Sequence, residues 1–213
     1  MCGIAGIHFK HDVPGERLDR AAALFARSLH HRGPDHFGLH RQARAVYANL
    51  RLAIVDRSSG QQPIYAPTAA TGRRGIVYNG EVYNHAALRQ ARCADYPFKT
   101  HSDTEVLLAT WLAQGPAAFA SWNGMFAACL FDEAANRFTL VRDRFGQKPL
   151  YVYEDAHCVA FASELRSLLQ LEGLDHSLNP VGFQDYLAYR YNLAPHTQFA
   201  RIRKLSAGCL LHF

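Results

Sequence analysis

MCGIAGIHF, residues 1–9, places a cysteine directly behind the start methionine and follows it with an apolar run. Two readings separate at Cys2. Either it is a small residue near a frayed terminus, or loss of Met1 leaves it with a free α-amine beside its thiol. In the second case one residue carries both a nucleophile and a base. An α-amine titrates near neutrality, so much of it is free to accept a proton from a neighbouring thiol. Residues 3–9 themselves read as a buried strand.

Working outward, GERLDRAAALFARSLHH (15–31) sets Leu18, Ala22, Phe25 and Leu29 on one helical face, and Gly33-Pro34 stops it. AVYANLRLAIVD (45–56) is strand-like, 58–75 reads as a long surface connection, and IVYNG (76–80) as a short strand ending at a turn. Residues 84–92 look helical. A firmer helix start is Ser102-Asp103-Thr104-Glu105, with the S-x-x-E pattern of a capping box; that helix ends near Gly115-Pro116. From Gly124 the pattern changes to four short strands in GMFAACLFD, RFTLVRD, PLYVYE and CVAFAS, followed by helices in ELRSLLQL and NPVGFQDYLAYR. Helices and antiparallel strand pairs come in blocks rather than in alternation, which predicts an α+β fold with layered sheets. No linker divides the 213 residues, so 1–213 is read as a single domain.

Composition narrows the function classes. Hydrophobic residues make up 49% and charged residues 19%, as in ordinary globular proteins. No apolar run approaches the roughly 18 residues that span a bilayer, and the start lacks the basic region of a secretory signal. The five cysteines are widely spaced without a CxxC pair, which argues against a disulfide framework or zinc knuckle and fits a reducing, cytoplasmic setting. The twelve histidines are scattered, so no metal site is expected. The net charge of +5 is weakly basic, and its densest stretch, RIRK (201–204), has no aromatic platform nearby; it reads as a solvated face and no nucleic-acid partner is expected, with nucleic-acid binding the minor alternative.

Seven motifs follow the Cys2 start in order: HRGPD (31–35), RLAIVD (51–56), YNGEVYNH (78–85), SDTE (102–105), NGMFA (123–127), RDRFGQKPLY (142–151) and FASEL (161–165). Each is weak alone. Together, over essentially the whole chain, the series closely resembles the glutamine-hydrolysing domain of asparagine synthetases, members of the class II glutamine amidotransferases.

The resemblance implies the four-layer α/β/β/α sandwich of N-terminal nucleophile (Ntn) hydrolases, with two antiparallel sheets between helical layers. It implies hydrolysis of glutamine to glutamate and ammonia through a Cys2 thioester. Asn79 and Gly80 match the oxyanion hole, a side-chain amide and a backbone N–H converging on one point. Arg51 matches the ligand of the substrate carboxylate, where a planar guanidinium grips both oxygens. Asp103 matches the ligand of the ammonium. Leu52, Ala53, Ile54, Val55 and Glu81 would line the same pocket. Without this context Asn79-Gly80 reads as a hairpin turn, Arg51 as a surface arginine and Asp103 as a helix first-turn acid. Arg32 is expected to be structural or to help order the site, and Lys148 and Glu164 to form buried or interdomain ion pairs rather than act in catalysis. No metal or cofactor is needed for this half-reaction; ATP and Mg belong to a synthetase domain.

Two departures stand out. The family commonly has a histidine two positions before the carboxylate-binding arginine, and here Asn49 occupies it. The SGG-type pyrophosphate loop of the ATP-dependent synthetase domain does not occur in the chain, so ammonia is expected to pass to a synthetase domain or subunit, with oligomerisation possible. The competing expectations are a catalytically silent glutaminase-like module that regulates or packs against a synthetase, and an N-terminal cysteine amidase for another amide.

Overall fold

The computed structural model of the chain describes residues 1–54, 56, 59–67 and 72–213. MCGIAGIHF forms the central strand β1 (Gly3–Phe9), and every one of its residues is buried. Unbroken burial requires cover on both faces, and the side chains divide with the period of two that a pleat imposes. Ala5, Ile7 and Phe9 pack under helix α1 (Gly15–Ser28) together with Leu18, Leu24 and Phe25. Ile4 faces the opposite way, toward the second sheet.

The first sheet has β1 at its centre. One side carries β3 (Ala45–Arg51) and β2 (His36–Arg41); the other carries β9 (Cys158–Ala162), β8 (Tyr151–Glu154) and β10 (Ile202–Lys204). The second sheet runs in the order β11 (Leu210–His212), β7 (Arg137–Arg142), β6 (Gly124–Asp132), β5 (Arg74–Val82), β4 (Ile64–Tyr65). Every pairing in both sheets is antiparallel. Three apolar layers result. One lies between α1, α4 (Leu165–Leu169) and the first sheet. The second lies between the sheets, where Ile4, Tyr47 and Phe161 meet Val77, Phe131 and Phe138. The third lies between the second sheet and the layer of α2 (His85–Arg92) and α3 (Asp103–Gln114), where Leu88, Val106, Leu107 and Trp122 cover Ile76, Tyr78 and Leu130. The expected α/β/β/α sandwich is therefore present. Gly6 permits the close inter-sheet packing: a Cβ there would lie 2.5 Å from a Phe161 ring carbon.

The structure corrects several local expectations. α1 stops at Ser28, and His30–Arg32 form a 3-10 turn, because the chain must then pass against β3. A Cβ at Gly33 would sit 2.1 Å from the Leu50 carbonyl oxygen. β3 ends at Arg51 rather than 56. β5 does not turn at Asn79-Gly80 but continues to Val82, paired with β6 throughout, so the local turn preference of Asn-Gly is overridden by tertiary pairing. HFGLHR pairs with β3 as the edge strand β2, and the RIRK stretch contributes β10, with Ile202 buried. α5 (Pro180–Tyr189) agrees with the expected helix, and Asn179 caps it by accepting from the Val181 N–H.

Between the sheets, His8 contacts the Tyr47 hydroxyl at 2.7 Å and stacks on Phe138. Burial, reinforced by the Arg44 charge, lowers its pKa from 6.5 to about 4. The unfolded chain therefore binds a proton at His8 that the folded chain refuses between those two values, and stability falls as pH drops through that window. His8→Gln is expected to narrow the difference in urea midpoint between pH 7 and pH 5. An unchanged difference would refute the assignment to His8.

Candidate active site

Cys2 lies just before β1, and the β1–β3 register, Gly3 opposite Leu50, carries it alongside the end of β3. The Leu52 N–H reaches the Cys2 sulfur at 3.4 Å, and the thiol faces the Leu52 carbonyl at 3.6 Å. Arg32, delivered by the 3-10 turn, donates from Nε to the Cys2 carbonyl oxygen at 3.0 Å. Its Nη1 donates to Glu164 at 3.1 Å, while Nη2 is buried without a partner among the described residues. Burial acts to raise the Glu164 carboxyl pKa, but hydrogen bonds from His31 and Arg32 outweigh it and hold the pKa below its usual value.

The sulfur opens onto a cavity of about 340 Å³, near the lower end for small-molecule sites. The far wall comes from the second sheet. Asn79, 1% exposed, lines it, and its Nδ2 has no hydrogen-bond partner among the described residues. An unanswered buried donor costs about 1–3 kcal/mol, so its retention asks for an acceptor that arrives from outside. Gly80 sits beside it. Phe126, the residue paired with Gly80, directs its own backbone N–H and C=O to Asp143. The N–H of Gly80 therefore turns from β6 toward the strand's other edge, beyond the end of the β4 pairing at Ile76. A Cβ at Gly80 would lie 2.2 Å from the Met125 carbonyl oxygen, so only glycine fits.

Asp103 enters from the first turn of α3 and is 5% exposed. Its Oδ2 accepts from the Tyr78 hydroxyl at 2.9 Å and the Val82 N–H at 3.0 Å, and its Oδ1 from the Thr104 N–H at 2.9 Å. With Ser102 Oγ at 3.5 Å from Oδ1, four donors surround the carboxylate. Burial raises the Tyr78 pKa well above 10, with the Asp103 charge adding to it, so the phenol remains a donor. The capping box is only half formed. Ser102 Oγ accepts from the Thr104 N–H, but Glu105 accepts from the Lys99 and Thr100 N–H groups instead of reaching back to Ser102.

Arg51 is buried on the cavity wall and donates from Nη2 to the Asp56 carbonyl at 2.5 Å. The Asp56 carboxylate in turn accepts from the Ser59 and His101 N–H groups, tying this loop to the approach of α3. Asn49 bridges the two sheets behind the cavity, donating to the Tyr78 carbonyl at 2.9 Å.

Of the residues singled out from sequence, Cys2, Arg51, Leu52, Ile54, Asn79, Gly80, Glu81 and Asp103 share this cavity. Ala53 does not line it; its N–H donates to Asp35. Val55 lies outside the described residues. Glu164 forms the ion pairs expected of it, with Arg32 and Arg166. Lys148 is buried in the cavity wall with its Nζ 3.2 Å from the Met1 sulfur, and it makes no ion pair among the described residues; the interdomain pairing also expected for it would need a second domain. Gln62 and Tyr78 are additional lining residues; Tyr78 opens the YNGEVYNH motif, whereas Gln62 has no local sequence signal and accepts from the Tyr78 N–H at 2.6 Å. No group of three or more His, Cys, Asp or Glu suited to a metal ion occurs among the described residues, and none of their helices is long and apolar enough to cross a membrane.

The profile of a glutamine amidotransferase domain matches residues 1–213, so the chain belongs to the glutamine amidotransferase domain family. Among curated relatives, asparagine synthetase B [glutamine-hydrolyzing] of Escherichia coli K12 is 37% identical over 170 residues, covering 79% of this chain and 30% of that protein. Asparagine synthetase [glutamine-hydrolyzing] 1 of Bacillus subtilis 168 is 32% identical over 211 residues, covering 98% and 33% respectively. The chain thus spans about a third of the length of these relatives. Among solved structures, the glutamine phosphoribosylpyrophosphate amidotransferase of B. subtilis superposes with a TM-score of 0.66 at 18% identity, over 84% of this chain and 46% of that one. At that identity it shows the fold alone, which is the Ntn-type sandwich.

Proposed function

We propose that the chain hydrolyses glutamine to glutamate and ammonia with Cys2 as nucleophile, and that the ammonia serves an ATP-dependent synthetase of the asparagine synthetase type. Loss of Met1 exposes the Cys2 α-amine. The amine takes the thiol proton as sulfur attacks the carboxamide carbon, and the carbonyl oxygen becomes an oxyanion received by Asn79 Nδ2 and the Gly80 N–H. Collapse of this intermediate breaks the C–N bond, and the amine returns the proton to the departing nitrogen, giving ammonia and a glutamyl thioester. Water then attacks the thioester, yielding glutamate and the free thiol. Arg51 holds the α-carboxylate and Asp103 the α-ammonium, with Glu81 beside them. Tyr78 keeps Asp103 oriented, and Arg32 keeps Cys2 oriented. This half-reaction calls for no cofactor.

The observation that carries this reading is the buried Asn79 Nδ2, without a partner among the described residues, in the cavity also lined by Cys2 and Asp103. The test is direct. Protein whose intact mass shows loss of Met1 is expected to release glutamate and ammonia in equal amounts from glutamine, in the presence of EDTA. Absence of both products, or equal turnover by chain that retains Met1, would overturn the mechanism.

A further inference from the structure

The FASEL stretch does more than end β9. Ser163, 1% exposed, donates its N–H to the Ile4 carbonyl at 2.8 Å and accepts the Ile4 N–H on Oγ at 3.0 Å. The next residue, Glu164, is the N-cap of α4, yet its carboxylate makes no capping bond there. An N-cap side chain ordinarily answers the first free N–H groups of its own helix. Here the carboxylate turns outward and takes Arg32 Nη1 at 3.1 Å, His31 Nε2 at 2.7 Å and Arg166 Nε at 2.9 Å. Arg32 in turn holds the Cys2 carbonyl. Two adjacent residues at one strand–helix junction thus grip the amino-terminal segment on both sides of Gly3, Ser163 directly at Ile4 and Glu164 through Arg32 at Cys2.

We propose that Ser163 and Glu164 form a clamp that sets the position of the amino terminus, with Glu164 acting as a positioning residue for Cys2 through Arg32. The inference rests on the reading of Cys2 as nucleophile. A chain end has no preceding residue to anchor it and frays unless tied down. A nucleophile and base carried on that end need their geometry supplied by the surrounding fold. The Leu52 contacts hold the sulfur at 3.4 and 3.6 Å, and Arg32 adds a separate, charge-assisted hold on the backbone carbonyl at 3.0 Å. The carboxylate also neutralises the guanidinium that would otherwise stand partly buried beside the nascent α-amine.

The test compares full-length, Met1-processed wild type with Glu164→Gln, Arg32→Met and the double variant, following glutamine turnover and the rate at which iodoacetamide labels Cys2. Misplacement by about 1 Å can reduce turnover on the order of 100-fold. Glu164→Gln is therefore expected to lower kcat by roughly 10- to 100-fold while KM stays within about twofold. The double variant should be no slower than Arg32→Met alone, because both changes break one chain of contacts. Glu164→Asp should recover part of the rate, and it reads the same cycle if the glutamine variant folds poorly. Wild-type kcat in Glu164→Gln, or effects that multiply in the double variant, would overturn the clamp. If wild type itself does not turn over glutamine, the nucleophile reading has failed, and Cys2 labelling judges the clamp separately: a changed rate in Glu164→Gln supports it, an equal rate refutes it.

Discussion

Cys2→Ala is expected to abolish ammonia release from glutamine, lowering kcat/KM on the order of 10⁴-fold or more, as loss of a covalent nucleophile does elsewhere. The Cys2 thiol lines the same cavity as the Asp103 carboxylate and as Asn79, whose Nδ2 has no partner among the described residues. Cys129 and Cys158 are buried in the packed layers, where burial raises their thiol pKa, well above 9 for Cys129 and to about 12 for Cys158; neither offers a thiolate near neutrality. Cys93 and Cys209 lie outside the cavity. Folding should survive the change, since Cys2 is only partly buried and the sulfur has just its long contacts to Leu52. Thermal midpoints of the two proteins should agree within about 2 °C, far below the shift of a core truncation. Glutamine should still bind, because Arg51 and Asp103 are untouched, so isothermal titration is expected to show a saturable site with no products. Residual turnover at even a few per cent of wild type would require another nucleophile, and the proposed mechanism would fail.

Much of the fold was legible in the sequence because its strongest signals are local. The largely apolar run from Gly3 to Phe9, interrupted only by His8, announces a buried strand, and Ser102 announces the start of α3. What escaped is set by tertiary contact. HFGLHR carries polar residues at alternate positions around a glycine, and it becomes a strand only because β3 offers it an edge. Asn79-Gly80 is a turn by local preference and the middle of a strand by pairing with Ala127 and Phe126. Glu105 satisfies the capping-box pattern but finds nearer donors in Lys99 and Thr100. The site divides in the same way. Cys2, Arg51, Asn79, Gly80 and Asp103 stand in motifs whose order marks them together. Gln62 joins the cavity through the packing of the chain, and Lys148 enters it beside Met1, which no spacing along the chain reveals. Glu164 illustrates a third case: its charge pairing could be anticipated, but its link through Arg32 to the Cys2 carbonyl depends on where the 3-10 turn after α1 points.

Asn79→Ala is expected to separate activity from stability in a way that a residue kept for folding would not. With one of two oxyanion donors removed, kcat should fall by roughly 10²- to 10³-fold, about 3–4 kcal/mol of transition-state stabilisation. KM for glutamine should change little, since the contact strengthens only as charge develops on the carbonyl oxygen. The same substitution deletes a buried donor that has no partner among the described residues, relieving a cost of about 1–3 kcal/mol against the loss of a few packing contacts. The unfolding midpoint should therefore hold or rise while turnover collapses. That opposition is the mark of a group whose hydrogen bond is completed only by substrate, held in place by β5 pairing on Ala127 and not by any contact of its own amide nitrogen. If Asn79→Ala instead lowers the midpoint and leaves kcat within about threefold of wild type, the amide belongs to the core and the oxyanion must be met elsewhere. Glutamine turnover and urea denaturation measured on the same preparation decide between the two.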